Sequence, residues 1–214
     1  MKTEMIRVTS AYERVMHWGL AISFLLLCFT GLAMMFHTLN SFSVLTGGMY
    51  NLKQVHNYSG LVFAVFLLLV IVTWWREAGV FRAGDGAWLR VMGGYIGHPD
   101  KVPEAGRYNA GQKIFFLVVA IFGLIMVGSG LIMWFSLNFS VHLVRLAFFL
   151  HALGFLFIFP FFFVHLYLST IGVPGSAQAM LTGWVSRAWL MSSHPRWLRE
   201  MERQGWLISG KKQA

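Results

Sequence analysis

The run LVRLAFFLHALGFLFIFPFFFVHLYLSTI, residues 143–171, decides the architecture of this chain. At about 1.5 Å per residue it is long enough to cross ~30 Å of hydrocarbon, and Arg145 is its only permanently charged residue. Inside lipid, every backbone N–H and C=O must find its partner within the segment, so a run of this length is a helix. Working outward, three further runs of the same kind lie near 16–36, 55–75 and 114–135. The chain of 214 residues is 57% hydrophobic and 12% charged, about half the charged share of ~25% in a soluble domain. The expected fold is all-α, an integral membrane four-helix bundle.

The basic residues orient it. Fifteen of the 17 Lys and Arg lie in the N-terminal stretch, the 76–113 connection or the 172–214 tail, from Lys2 and Arg7 through Arg107 and Lys113 to Lys211 and Lys212. Only Lys53 and Arg145 fall on the other side. Lys and Arg concentrate in cytoplasmic loops, so both termini and the long loop are placed in the cytoplasm. The loop, with Pro99 and Pro103, and the tail, with its Trp- and Arg-bearing stretch Trp184 to Trp206, are too short to be domains. They read as a partly amphipathic cap whose Trp and Arg meet lipid at the headgroup level. Residues 1–214 thus form a single membrane domain, without solenoid repeats or low-complexity tracts.

Composition also excludes. A net charge of +9 would raise nucleic acid as a partner in a soluble protein. Here the charge flanks apolar runs and no basic, aromatic nucleic-acid motif is present, so nucleic acid is not a partner. The single cysteine, Cys28, builds neither an iron–sulfur cluster nor a Cys-x-x-Cys-His haem attachment, and reads as a packing residue. The stretch Met1 to Met16 has no small-residue cleavage site, so the first apolar run is expected to remain as a helix.

Ionisable residues within spans are costly and by default functional, and four histidines, His17, His56, His151 and His165, lie in or at the ends of the apolar runs. His151 and His165 are 14 residues apart, about 40° short of four full turns and roughly 21 Å along the helix. They face one way at two depths. His56, at the outer start of the second helix, can meet His151; His17, at the inner start of the first, can meet His165. Two facing imidazoles are what axial ligation of haem iron requires, and a haem so held carries electrons without an open site for oxygen. Gly60 and Gly154 leave a bare patch beside His56 and His151. Pro160 removes a backbone hydrogen bond between the two histidines of the fourth helix. His37 and His142 point away from the ligand faces and read as interfacial, while His98 and His194 fall in cytoplasmic segments beside prolines. A proton or metal pathway, or unrelated structural histidines, are the other readings of the four.

These residues carry a resemblance. Arg14-Val15-Met16-His17-Trp18, His56 with Gly60, Arg107-Tyr108-Asn109-Ala110-Gly111-Gln112-Lys113, His151-Ala152-Leu153-Gly154 and His165-Leu166-Tyr167 resemble the gamma subunit of respiratory formate dehydrogenase, a four-helix cytochrome b556. The tail segments Gly175-Ser176, Val185-Ser186-Arg187 and His194-Pro195-Arg196-Trp197 extend the likeness over nearly the whole chain. The resemblance implies two haem b groups in a bacterial inner membrane, an outer one on His56 and His151 and an inner one on His17 and His165. It also implies a quinone site (menaquinone or ubiquinone) at Asn109, Gly111, Gln112 and His165. Its implied partners are an iron–sulfur subunit anchored by its own helix, a molybdenum- or tungsten-containing catalytic subunit, and a higher oligomer of the complex. The chain would then reduce quinone for an oxidoreductase without dehydrogenase chemistry of its own. From the residues alone, Asn109 to Gln112 read as an ordinary turn at the start of a helix. An equivalent subunit serving a hydrogenase or a sulfur-compound oxidoreductase is the nearest rival; a haem-free anchor or a transporter is the rival of another class.

Overall fold

The computed structural model describes residues 4–97, 101–207 and 209–210, so Lys2, His98, Pro99, Lys211 and Lys212 lie outside the described residues. The elements in order are β1 (Met5–Arg7), α1 (Ala11–Met35), a 3-10 run (His37–Thr46), α2 (Met49–Ala78), α3 (Asp85–Arg90) and α4 (Ala110–Trp134). They continue with α5 (Val141–Tyr167), α6 (Gln178–Leu181), β2 (Trp184–Ser186), α7 (Arg187–Ser193), α8 (Pro195–Gln204) and β3 (Ser209–Gly210). Among the described residues four helices are long and apolar enough to cross a membrane: Ala11–Met35, Met49–Ala78, Ala110–Trp134 and Val141–Gly172, the last including a π-helical turn after α5.

Each span begins before its apolar run, because polar residues nucleate it. Ser10 and Glu13 form a capping box at the head of α1: Glu13 Oε2 accepts from the Ser10 backbone N–H at 2.9 Å, and Ser10 Oγ accepts from Glu13 N–H at 3.2 Å. Met49 starts α2, so Asn51, Lys53 and Gln54 are already helical. His17 and His56 consequently sit about two turns inside their helices rather than at the first residue.

The chain divides into two compact units, each built from parts of all four spans. The first comprises residues 1–14, 73–119 and 160–214. In it β1 pairs antiparallel with β2 (Ile6 opposite Val185) and with β3 (Ile6 opposite Ser209), in the order β2-β1-β3. Ile6, Val8, Val185, Leu190, Leu198 and Met201 form a hydrophobic core of their own beneath this sheet. The amphipathic tail is therefore a folded cap with a small sheet. Ser186 Oγ caps α7 by accepting from Trp189 N–H at 3.1 Å, and Pro195 opens α8, where its missing N–H costs nothing.

The long connection is pinned by charge. Arg107 pairs with Glu13, and with Glu77 at 2.7 Å, while its guanidinium lies 5.5 Å from the Trp197 ring centre and 5.6 Å from that of Tyr108. Lys113 Nζ, 2% exposed, pairs with Asp85 at 2.6 Å and donates to Val80 O at 3.0 Å, and Asp85 also accepts from Arg82 N–H at 2.7 Å. His194 is buried and its Nδ1 donates to Gly106 O at 2.7 Å. Read from sequence as a basic loop residue and a histidine of a cytoplasmic segment beside a proline, Lys113 and His194 are interior groups.

The second unit, residues 15–72 and 120–159, holds the other halves of the spans. Large apolar side chains such as Val65, Val72 and Leu156 face outward, as lipid requires, while the interior takes small and hydroxyl-bearing residues: Ser23, Thr30, Ala33, Ala120, Ser129 and Ala147 are buried. Phe122 and Phe157 stack at 4.4 Å between α4 and α5.

Candidate metal centre

Two sequence-picked histidines meet inside the second unit. His56 on α2 and His151 on α5 face each other with ring centroids 6.3 Å apart and planes inclined by 60°. A metal–imidazole bond of about 2.0–2.1 Å on either side, plus about 1.1 Å from each ligating nitrogen to its ring centre, spans roughly 6.2–6.4 Å. The gap between the rings therefore matches one metal ion ligated from both sides.

The outer nitrogens are spoken for. His151 Nδ1 lies 3.1 Å from Met126 O and 3.1 Å from Ser129 Oγ. A carbonyl only accepts, so this Nδ1 carries the hydrogen and leaves the Nε2 lone pair free for a metal. His56 Nδ1 lies 2.8 Å from Thr30 Oγ1. Both hydroxyls are helix-bonded as well, Thr30 to Leu26 O and Ser129 to Ile125 O, each at 2.7 Å. The residue after each hydroxyl is glycine: a Cβ on Gly31 would stand 3.3 Å from His56 Cε1, and one on Gly130 3.4 Å from His151 Cε1. Thr30-Gly31 on α1 thus cradles His56, and Ser129-Gly130 on α4 cradles His151. Sequence reading missed these four; a hydroxyl–glycine pair recurs in three spans, as Ser59-Gly60 on α2 as well, so the pair alone does not mark the site. Donor set, spacing and the bonded Nδ1 atoms all fit a bis-imidazole iron porphyrin.

The other two histidines belong to different units. His165 stacks parallel on Phe115, 4.3 Å between centroids and 2° between planes, which fixes the orientation of its ring. His17 lies on α1 with the Trp18 ring edge-on at 5.3 Å. His37 and His142 are exposed.

Asn109 and Gln112 form the capping box of α4: Gln112 Oε1 accepts from Asn109 N–H and Asn109 Oδ1 from Gln112 N–H, both at 2.9 Å. Their amide oxygens serve the helix, which leaves the NH2 groups to bind something else. The bare face of Gly111 is covered by Trp88, whose ring would stand 3.1 Å from a Cβ there. Trp88 packs edge-on against Tyr95 at 5.9 Å. Burial raises the Tyr95 pKa above the ordinary phenol value, with Asn109 opposing. Trp88 and Tyr95 were not picked from sequence, because their loop has no periodicity to place them.

Facing imidazoles framed by apolar helices are the makings of a membrane cytochrome. Residues 8–183 match the model of the prokaryotic cytochrome b561 family, and the chain belongs to it. Haem b and a multi-pass place in the bacterial inner membrane go with that family. The chain is 30% identical over 197 residues (91% of this chain, 92% of the relative) to the formate dehydrogenase cytochrome b556(fdo) subunit of Escherichia coli K12. It is 31% identical over 192 residues (87% and 79%) to the formate dehydrogenase cytochrome b556 subunit of Haemophilus influenzae. It is also 30% identical over 206 residues (94% and 94%) to the nitrate-inducible cytochrome b556(Fdn) subunit of formate dehydrogenase in Escherichia coli K12.

Proposed function

We propose that this chain is the di-haem subunit of a formate dehydrogenase complex, carrying electrons from a periplasmic-side iron–sulfur partner to a quinone near the cytoplasmic face. The observation that carries the reading is the His56–His151 pair, with ring centroids 6.3 Å apart and both Nδ1 atoms hydrogen-bonded. Haem b with both axial positions filled supplies one-electron transfer and no oxygen site. His56 and His151 would hold the outer group through the Nε2 atoms that their bonded Nδ1 atoms leave free, and His17 and His165 would hold the inner one. The relatives' names support formate dehydrogenase over a hydrogenase or a sulfur-compound enzyme, and with it an anchored iron–sulfur subunit and a molybdenum or tungsten catalytic subunit. The bias of fifteen basic residues to two supports cytoplasmic termini.

Reducing a quinone to its quinol takes two electrons and two protons, and carbonyl oxygens must be held while they arrive. The amide NH2 groups of Asn109 and Gln112 are donors for such oxygens, with their own oxygens locked in the helix cap. Gly111 keeps the backbone open to Trp88 at this place, and His165, which would hold the inner group, belongs to the same unit as Asn109 and Gln112.

The test is a haem-to-chain ratio in the purified complex. Two per chain is expected, falling to one in His56→Ala or His151→Ala, and to one, with a different residual spectrum, in His17→Ala or His165→Ala. A ratio near zero in folded wild-type material overturns the proposal and leaves a membrane anchor.

A further inference from the structure

The two imidazoles of the pair are not held alike. His151 Nδ1 has two acceptors, Met126 O and Ser129 Oγ, each at 3.1 Å. Among the described residues His56 Nδ1 has one partner, Thr30 Oγ1 at 2.8 Å. Thr30 is 2% exposed, so water has no ready access to replace it.

We infer that Thr30 is a positioning residue that fixes the tautomer of His56 and sets the electron affinity of the metal that His56 holds, whereas Ser129 is backed by a carbonyl and is dispensable. The inference rests on the proposed ligation of iron by His56. The Thr30 hydroxyl has a single hydrogen, and Leu26 O, four residues back along the same helix, takes it at 2.7 Å. What Thr30 offers His56 is therefore an oxygen lone pair, and His56 Nδ1–H donates to it. That choice puts the lone pair on Nε2, on a ring whose centroid lies 6.3 Å from that of His151. A hydrogen bond donated from Nδ1 also makes the imidazole a stronger donor to the metal, as an outer-shell acceptor does for any metal-bound histidine. A stronger donor favours the oxidised metal. Removing the acceptor strands the Nδ1–H in an apolar setting, weakens the ligand and makes the metal easier to reduce.

The roles part on substitution. Thr30→Val keeps the branched shape and loses the oxygen; Thr30→Ser keeps the oxygen and loses a methyl; Ser129→Ala leaves Met126 O in place. In the purified holo-complex, spectroelectrochemical titration should show the haem lost in His56→Ala moving to more positive potential in Thr30→Val. The expected change in its oxidised-to-reduced ratio at fixed poise is about tenfold, or 59 mV for one electron. Thr30→Ser should titrate like wild type, and Ser129→Ala should shift far less than Thr30→Val. Loss of that haem in Thr30→Val, with retention in Thr30→Ser and Ser129→Ala, supports the same role. An unmoved potential in Thr30→Val, an equal or larger shift in Ser129→Ala, or haem loss in both Thr30 variants overturns it. Full haem content in His56→Ala overturns the ligation itself, a failure distinct from the others.

Discussion

Removing the charge of Lys113 should unlock the loop that carries Trp88 and Tyr95. Its Nζ and the Asp85 carboxylate lie 2.6 Å apart with side chains 2% and 7% exposed. Lys113→Met leaves Asp85 charged, buried and bonded only to Arg82 N–H, and removing one partner of a buried pair costs about 3–5 kcal/mol. Because α3 is short, that loss falls on local opening of the loop rather than on the whole fold. At 1.4 kcal/mol per tenfold, the open population rises between about 10² and 10⁴ times until the loop is fully open. Trypsin reads it directly, since Arg82 precedes α3, Arg90 ends it, and cleavage follows the open population when reclosing is fast. Lys113→Met should be nicked there at least a hundredfold faster than wild type. The double variant Lys113→Met with Asp85→Leu should regain wild-type resistance, because two apolar residues of similar volume replace a buried pair at little cost. If the single variant were no faster, or the double variant as fast as the single, the buried pair would not be what closes this loop.

Asn109→Asp keeps an acceptor for the α4 cap but loses the amide donors, so quinone reduction should slow while haem content holds; Asn109→Ala should also lose about 1 kcal/mol of capping. Turnover and thermal unfolding, measured side by side, separate the two roles. A leucine at Gly31 has no space beside His56 Cε1 and should release one haem, seen as a halved haem-to-chain ratio, whereas Gly31→Ala, whose Cβ meets the ring at 3.3 Å, should keep it. Burial holds His194 below the ordinary imidazole pKa, with the Gly106 bond opposing. Above about pH 6.5 both folded and unfolded forms are neutral and the cap has its full stability; as pH falls below that, the unfolded chain gains a proton that the folded one resists. Hydrogen exchange in α7 and α8, corrected for intrinsic rates, should therefore quicken from pH 7.5 to 5.5 in wild type and much less in His194→Gln.

The four spans and the His56–His151 partnership were legible because lipid leaves few choices: apolar length sets the helices, and the cost of an ionisable group marks the histidines. What stayed hidden depends on packing. Thr30 and Ser129 look like ordinary hydroxyls bonded to their own helices, and their second bond, to an imidazole on a neighbouring span, leaves no trace in spacing. Met5–Arg7 and Trp184–Ser186 are too short to show alternation, so the small sheet was missed. Lys113 was counted as a topological charge, since nothing in its neighbourhood announces Asp85, 28 residues earlier. The Asn109–Gln112 capping box was readable as a helix start, and so it is.

If His56 and His151 hold the iron as proposed, the 60° twist between their planes would have a magnetic consequence. Parallel imidazoles would both interact with the same iron dπ orbital and split the dπ pair, whereas planes turned well away from each other load the two orbitals more evenly. Frozen, oxidised samples should then give a strongly anisotropic low-spin resonance from this centre, with its largest g value well above that of a parallel-plane cytochrome.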